Sequence, residues 1–291
     1  MLQATSIQAL IRLVDDPDNH IYEHVREELI RCGTSALPFL ENTWENDLFG
    51  NNHHNRIDDI IRDIQFEEVK KELNNWLNSS DKDLLKGACI IAKYEFPDLD
   101  ETEIIDLIQN IRRDIWLELN DNQTAFEKVK IFNKIFFAHH QFEGDADDFL
   151  SPPNSYINQV LATRKGNPLS LSLIYSVIAQ SLDLPVYGVN LPNHFVLAYM
   201  DVNGIHVLND QENEYGVLFY INTFAKGSLF DSTEIKAFLD GLNVPHKREY
   251  FEPCSNTAII RRMLTNLITT YQKNGRSKKV EDLSLLRTIL D

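Results

Sequence analysis

The chain of 291 residues is long enough for about two domains, and a hydrophobic content of 43% supports a packed core. With 44 Asp and Glu against 28 Lys and Arg, the formal net charge of -16 argues against a nucleic-acid partner, because a nucleic-acid backbone calls for a basic face. The three cysteines, Cys32, Cys89 and Cys254, lie outside any disulfide or zinc spacing, so we expect a cytoplasmic protein that needs no cofactor.

Residues 1–82 have the pattern of an all-helical region. Ile7, Leu10, Ile11 and Val14 share one helical face, and the Asp-Pro break that follows leads into a second face of the same kind. The stretch 15–44 resembles one HEAT repeat, although a solenoid needs about three repeats to bury its faces. The start of the chain lacks a cationic leader, and no apolar run reaches membrane-spanning length, so we expect no membrane partner.

Residues 83–250 are expected to form a mixed core with a helical lead-in. Helical patterns precede the first convincing strand, and segments rich in β-branched and aromatic residues then begin at Val186 and include 195–200, 205–208 and 217–221. The tail, 251–291, is predicted to form two helices that split at Asn274-Gly275. It resembles a tetratricopeptide hairpin, and a role as a lid on the core is favoured over a docking role.

The clearest structural signal lies around Gly166. This glycine is suited to end one helix, Asn167 is a good N-cap, and Pro168 suits the first position of the next helix. The apolar residues that follow, up to Leu182, cover nearly every direction around the helix axis. The sequence therefore predicts a central, buried helix.

The elements between Asn154 and His194 come in the order in which a papain-like site is assembled: helix, turn, buried helix, strand, and a histidine at the start of a second strand. Here the chain resembles the transglutaminase-like superfamily, and most closely its SirB-type branch. The matching residues form an ordered set over roughly 84–240: Asn154, Ser155, Asn158, Val160, Leu161, Arg164, Gly166, Pro168, Leu171, Tyr175, Leu184, Gly188, Val189, Pro192, His194, Phe195, Asn222, Phe224 and Gly227.

The resemblance implies an α+β fold with a papain-like, transglutaminase-like core, in which a buried helix packs on an antiparallel sheet between helical flanks. It also implies Cys, His and Asp or Asn in one cleft, with the Cys opening the buried helix. In this chain that position falls at or beside Pro168, which has no nucleophile. The nearest hydroxyls belong to Ser170 and Ser172, and His194 is the candidate base.

Two residues compete for the third position, and they require different sheets. If 205–208 pairs between the other two strands, Asp210 lies near His194; if 217–221 pairs directly with 195–200, Asn222 does. A bulged three-residue hairpin loop places Asp210 on the face of His194, whereas a tighter turn places Asn209 there. The run around Asn222 resembles the Ile-Asp-Pro-Phe motif of the family, so Asn222 is favoured.

A metal site is not expected. The adjacent histidines His139 and His140 precede an acidic run, but that run lacks the spacing of an EF-hand, and neighbouring residues of a helix point about 100° apart. A solvated loop is the favoured interpretation of the run, which contains Glu143, Asp145, Asp147 and Asp148.

Without the thiol, the sequence predicts a non-catalytic or functionally altered member of the superfamily. It would bind a protein or peptide through the old cleft or through its helical surfaces. The alternative is a papain-like hydrolase or acyltransferase with Ser170 as nucleophile, His194 as base and Asn222 as the residue that orients the base. A third hypothesis makes the helical flanks the working parts and the core a spacer.

Overall fold

A computed structural model describes residues 4–46, 51–148, 151–202 and 215–291. The protein is α+β, with many helices and a small antiparallel sheet. The chain divides into two units, one formed by Met1–Asn75 and Lys93–Pro97 and the other by Trp76–Ala92 and Asp98–Asp291. The sequence-based division at residues 82 and 250 stays a prediction.

The first unit is helical. Its helices are α1 (Ala4–Ile11), α2 (Asn19–Cys32), α3 (Leu37–Asn46) and most of α4 (Asn51–Asn78). Asp18 caps α2 by accepting a hydrogen bond from the His20 backbone N–H at 2.8 Å. The apolar faces meet in a core that includes Ile7, Ile11, Val14, Val25, Leu29, Ala36, Leu40, Ile57, Ile60 and Ile64. The resemblance to a HEAT repeat stays an interpretation.

Further helices follow along the chain. They are α5 (Leu84–Lys93), α6 (Glu101–Trp116), α7 (Ala125–Asn133), α8 (Ile157–Thr163), α9 (Pro168–Ser181), α10 (Ser232–Gly241), α11 (Asn256–Lys273) and α12 (Ser277–Ile289). A π-helical segment, Lys134–His139, continues directly from α7. No helix within the described part of the chain combines the length and the apolar character needed to cross a lipid bilayer.

Within the described residues, the sheet has four antiparallel strands in sequential order. These are β3 (Val186–Leu191), β4 (His194–Met200), β5 (Val217–Asn222) and β6 (Ser228–Phe230); a separate parallel pair joins β1 (Glu143–Gly144) to β2 (Lys165–Gly166). Strand β5 pairs directly with β4, with Leu197 opposite Ile221, which is the arrangement that the sequence favoured. The predicted strand 205–208 lies outside the described residues.

Helix α9 is the central buried helix that the sequence predicted. It contacts β3, β4 and α6, and nearly all of its side chains are buried. Its start is fixed by a reciprocal cap: the Asn167 side chain accepts from the Ser170 N–H, and the Ser170 hydroxyl accepts from the Asn167 N–H, both at 3.0 Å. Pro168 occupies the first helical position.

Helices α11 and α12 form a hairpin that packs into the second unit. The apolar face of α11 is buried and includes Leu264, Leu267 and Ile268. The hydroxyl groups of Tyr271 and Tyr156 lie 3.1 Å apart in the interior, which ties α11 to the segment before α8. The hairpin therefore belongs to the core that contains the sheet, and its tetratricopeptide resemblance stays an interpretation.

Gly227 lies in the loop after β5, where it packs closely against Asn133. Its φ of 75° favours glycine, and a Cβ there would overlap the Asn133 carboxamide, which donates to the Gly227 carbonyl at 2.8 Å. Gly275 has a similar φ of 67° with open space around it. We predict that Gly275→Ala costs about 1–2 kcal/mol for the backbone alone, and that Gly227→Ala costs roughly 1–3 kcal/mol more for the overlap.

Urea unfolding of the two variants would measure this difference. Both glycines belong to the second unit, so the unfolding transition of that unit reports the effect of either substitution. Equal losses of unfolding free energy would contradict the predicted overlap with Asn133.

Candidate functional site

His194 stands at the start of β4, directly after a two-residue turn. Leu191 pairs with His194, and Pro192 and Asn193 form the connection. Asn193 has a φ of 57°, a conformation that asparagine tolerates better than most residues. The turn therefore fixes His194 at the edge where β3 and β4 meet.

The Asn222 side chain interacts with His194. Burial lowers the pKa of His194, a hydrogen bond with the Asn222 side chain raises it, and the charge of Arg262 lowers it. The direct pairing of β4 and β5 makes this contact possible, because Asn222 ends β5 close to where β4 begins. The roles of His194 as base and of Asn222 as the residue that orients it stay a prediction.

Arg262, on α11, is the second charged group of this site. Its guanidinium donates to the Asn190 side chain at 3.2 Å and to the Leu191 carbonyl at 3.4 Å, and its Nε donates to Asn266 at 3.3 Å. Among the residues that the structure describes, no carboxylate forms an ion pair with it. Burial lowers the pKa of Arg262, since the cation lacks the solvation it would have in water.

His194 and Arg262 line one cavity of about 340 Å³. Its other polar walls are uncharged hydroxyls and amides, and no acidic or cysteine side chain of the described residues lines it. The lining consists of Ser155, Asn167, Pro168, Leu169, Asn193, His194, Phe195, Arg262, Thr265, Asn266, Thr269 and Thr270. A larger cavity of about 550 Å³ lies in the first unit, away from the predicted site residues.

The N-terminus of α9 forms part of the cavity wall. Pro168, the position where the resemblance places the thiol, lines the cavity with Leu169. Asn167 donates from its side chain to the Ser155 hydroxyl at 3.0 Å. This part of the wall therefore consists of the first residues of α9 and of amide and hydroxyl groups that hydrogen-bond to one another.

Ser170 takes part in the cap rather than in the cavity lining. Its hydroxyl donates to the Asn154 carbonyl at 2.6 Å and accepts from the Asn167 N–H at 3.0 Å. The hydroxyl of Ser172 is fully buried and lies 2.8 Å from that of Thr223. Both hydroxyls thus have partners other than His194.

None of the three cysteines forms a disulfide bond with a described residue. Burial raises the pKa of Cys254 to about 11 and also raises the pKa of Cys32, while Cys89 is buried in α5. A raised pKa keeps a thiol protonated and therefore unreactive as a nucleophile.

The structure brings together three of the residues that the sequence singled out, and it adds Arg262 to them. Pro168, His194 and Asn222 lie at one site, whereas Asp210 and Asn209 are outside the described residues. The sequence reasoning missed Arg262. One signal was available: Arg262, Thr265, Asn266 and Thr269 form a polar stripe at helical spacing on a helix that also has an apolar face.

Comparisons with known proteins show what the chain is similar to. A sequence model described as the transglutaminase-like superfamily matches residues 102–265. A UPF0162 protein of Xylella fastidiosa is 29% identical over 199 residues, which cover 66% of each chain. A UPF0162 protein of Pasteurella multocida is 28% identical over 145 residues, 50% of this chain and 55% of the relative.

Human F-box only protein 21 is 30% identical over 159 residues, which are 55% of this chain and 24% of the F-box protein. The chain therefore spans just under two thirds of the Xylella relative and a much smaller share of the human one. No solved structure matches the chain.

The charges around His194 lead to a prediction about its pKa. Arg262→Met should raise the His194 pKa because it removes a nearby positive charge, and Asn222→Ala should lower it further because the protonated ring loses its acceptor. An NMR titration of the imidazole resonances measures both shifts. Arg276→Met, which removes an exposed cation from outside the cavity, is the matched control. Shifts of the same sign in the two site variants would contradict this account.

The lowered pKa also sets the sign of the pH dependence of stability. Because the folded His194 pKa lies below that of the unfolded imidazole, about 6.5, the unfolded chain takes up the proton first. The contribution of neutral His194 is complete above this range and is lost as the pH falls through it. The unfolding free energy of the wild-type protein should therefore fall between neutral and mildly acidic pH. We expect a smaller fall for His194→Gln, which has no imidazole to protonate, and urea unfolding at the two pH values measures the difference.

Proposed function

This chain belongs to the transglutaminase-like superfamily, and we propose that it acts by binding a protein or peptide segment in the His194 cavity without covalent catalysis. We also propose that it is a SirB-type member with a papain-like core and a tetratricopeptide-like C-terminal hairpin, and that it works in the cytosol. The observation that carries the proposal is that no cysteine of the described residues lines the cavity with His194.

A papain-like reaction needs a thiolate at the start of the buried helix. Here the resemblance puts that position at or beside Pro168, which lines the cavity with His194. The Asn222 side chain forms a hydrogen bond with His194 that raises the pKa of the imidazole. The site thus combines proton-accepting and hydrogen-bonding groups with an apolar helix start, a combination that suits recognition.

The alternative, a hydrolase or acyltransferase that uses Ser170, has less support. The Ser170 hydroxyl would have to give up its bonds to Asn154 and Asn167, which also fix the start of α9. A serine hydroxyl also has a much higher pKa than a thiol and needs a well-placed base to react. His194 lines the cavity, whereas Ser170 does not.

Arg262 suggests the chemistry of the ligand. It is a partly buried guanidinium without a carboxylate partner among the described residues, in a cavity whose other polar walls are neutral apart from His194. A guanidinium binds carboxylates through paired, charge-assisted hydrogen bonds. We therefore propose that the bound segment presents a carboxylate, from an acidic side chain or from a chain end.

The cavity volume of about 340 Å³ suits a few residues at most, at the low end of the usual range of roughly 300–1,000 Å³ for ligand sites. The surrounding hydroxyl and amide groups, which include Thr265, Asn266 and Thr269, can bond to a peptide backbone. The helical surfaces remain a rival docking face under the third hypothesis.

Three acetylated tripeptide probes test the binding proposal: one with a Glu side chain and an amidated end, one of alanine with a free carboxylate, and one of alanine with an amidated end. We predict that only the first two perturb the NMR signals of the cavity residues. Arg262→Met should weaken that binding by roughly 10–100-fold, since a hydrogen bond to a charged group contributes about 1.5–3 kcal/mol.

Arg262→Lys keeps the charge and should weaken binding less than Arg262→Met does. Arg276→Met lies outside the cavity and should leave binding unchanged. Thermal unfolding verifies that each variant is folded. Equal binding of the uncharged peptide, or undiminished binding by Arg262→Met, would refute the carboxylate proposal.

A panel of ester and amide substrates tests the absence of covalent catalysis. The full chain should turn over these substrates no faster than folded His194→Ala. Turnover that is lost both in His194→Ala and in Ser170→Ala would establish the hydrolase alternative instead.

A further inference from the structure

We propose that Asp114, His139 and His140 form a binding site for a divalent transition metal, for which Zn²⁺ is the probe. The site lies outside the His194 cavity and shares no residue with it. Its function is independent of the binding proposed for that cavity.

The three side chains converge on one point. Asp114 lies on α6, and its Oδ2 is 3.0 Å from the Nε2 of His140 and 4.0 Å from the Nε2 of His139. One ligand atom from each residue lies within 4.8 Å of the other two. Zinc binds imidazole nitrogen and carboxylate oxygen at about 2.0–2.2 Å, so its ligand atoms stand roughly 3–4 Å apart. Small side-chain rotations would bring these three atoms into that range.

The local backbone allows two adjacent histidines to bind the same metal ion. In a regular α-helix neighbouring side chains point about 100° apart, which argued against a metal from the sequence. Here His139 ends the π-helical segment Lys134–His139, and the His140 N–H bonds to the Ile135 carbonyl, five residues back, at 2.8 Å. The two rings lie edge to face with centroids 5.0 Å apart. Such π-helical turns occur frequently at functional sites.

Asp114 was outside the acidic run that the sequence analysis weighed. It precedes His139 by 25 residues and reaches the histidines only through the packing of α6 against the π-helical segment. The acidic run itself takes another role, because Asp145 accepts a hydrogen bond from the Asn154 side chain at 3.1 Å.

Exposure and charge fit a site with an open side. The side chain of His140 is 15% exposed, that of Asp114 30% and that of His139 69%, so a metal would be anchored from within and open to solvent. Arg113 lies 3.8 Å from the other carboxylate oxygen, Oδ1, which leaves Oδ2 to face the imidazoles. Arg164 is the other cation that acts on His140, and its charge limits the affinity of the site.

The donor set selects the class of ion. Two imidazoles and one carboxylate suit Zn²⁺ and its neighbours in the transition series, whereas Mg²⁺ and Ca²⁺ prefer oxygen ligands alone. Three protein ligands leave one position of a tetrahedral zinc ion for water or another ligand.

Isothermal titration of the untagged, chelator-treated full chain with Zn²⁺ tests the proposal. We expect one saturable site, at least tenfold weaker in His139→Ala and in His140→Ala. Asp114→Asn keeps the shape of the side chain and removes its charge, and it should weaken binding as well. The matched control is His246→Ala: His246 lies 2.7 Å from Asp240, a histidine and carboxylate pair without a third ligand in the described chain.

Circular dichroism verifies that every variant is folded, and Asp114→Asn keeps the test valid if a histidine variant is not. Co²⁺ in place of Zn²⁺ reports the ligands directly, because nitrogen and oxygen ligands give no thiolate charge-transfer band. Absence of saturable binding, undiminished binding by His139→Ala and His140→Ala, or a thiolate band in the Co²⁺ spectrum would overturn the proposal.

Discussion

The reciprocal cap between Asn167 and Ser170 is the interaction on which the rest of the second unit depends. It starts α9 at one residue, and it is itself held from outside, because the Asn154 carbonyl accepts from Ser170 and the Ser155 hydroxyl accepts from Asn167. Unpaired polar groups at this depth would cost more than the bonds contribute, so these residues stabilise one register of the helix. That register determines which residues of α9 form the cavity wall and which residues of α9 pack against the sheet.

The cavity is positively charged although the chain as a whole is strongly acidic. Arg262 and His194 face a space without carboxylates among the described residues, while the net charge is -16. Burial keeps His194 close to its neutral form, so the charge of the site rests on the guanidinium. The net charge would repel an anionic ligand at long range, whereas the guanidinium of Arg262 would attract it within the cavity, which favours selectivity over fast association.

Local signals made much of the fold predictable. Asn167 and Pro168 mark the start of α9, its apolar residues in every direction predict burial, and the sequence around Asn222 favoured the direct pairing of β4 and β5. The parts that were missed depend on tertiary packing. β6 has only three residues, Arg262 reaches the cavity from a helix about 70 residues after His194, and Asp114 meets the histidines from another helix.

The position of α11 in the cavity wall has a consequence for biosynthesis. During synthesis, the residues of the cap, the sheet and the His194 turn are made before α11, which carries Arg262. The site is therefore completed when α11 docks onto β3 and α9 and, through the hydroxyl groups of Tyr271 and Tyr156, onto the segment before α8. Until α11 docks, the cavity lacks the guanidinium that the proposed ligand would bind.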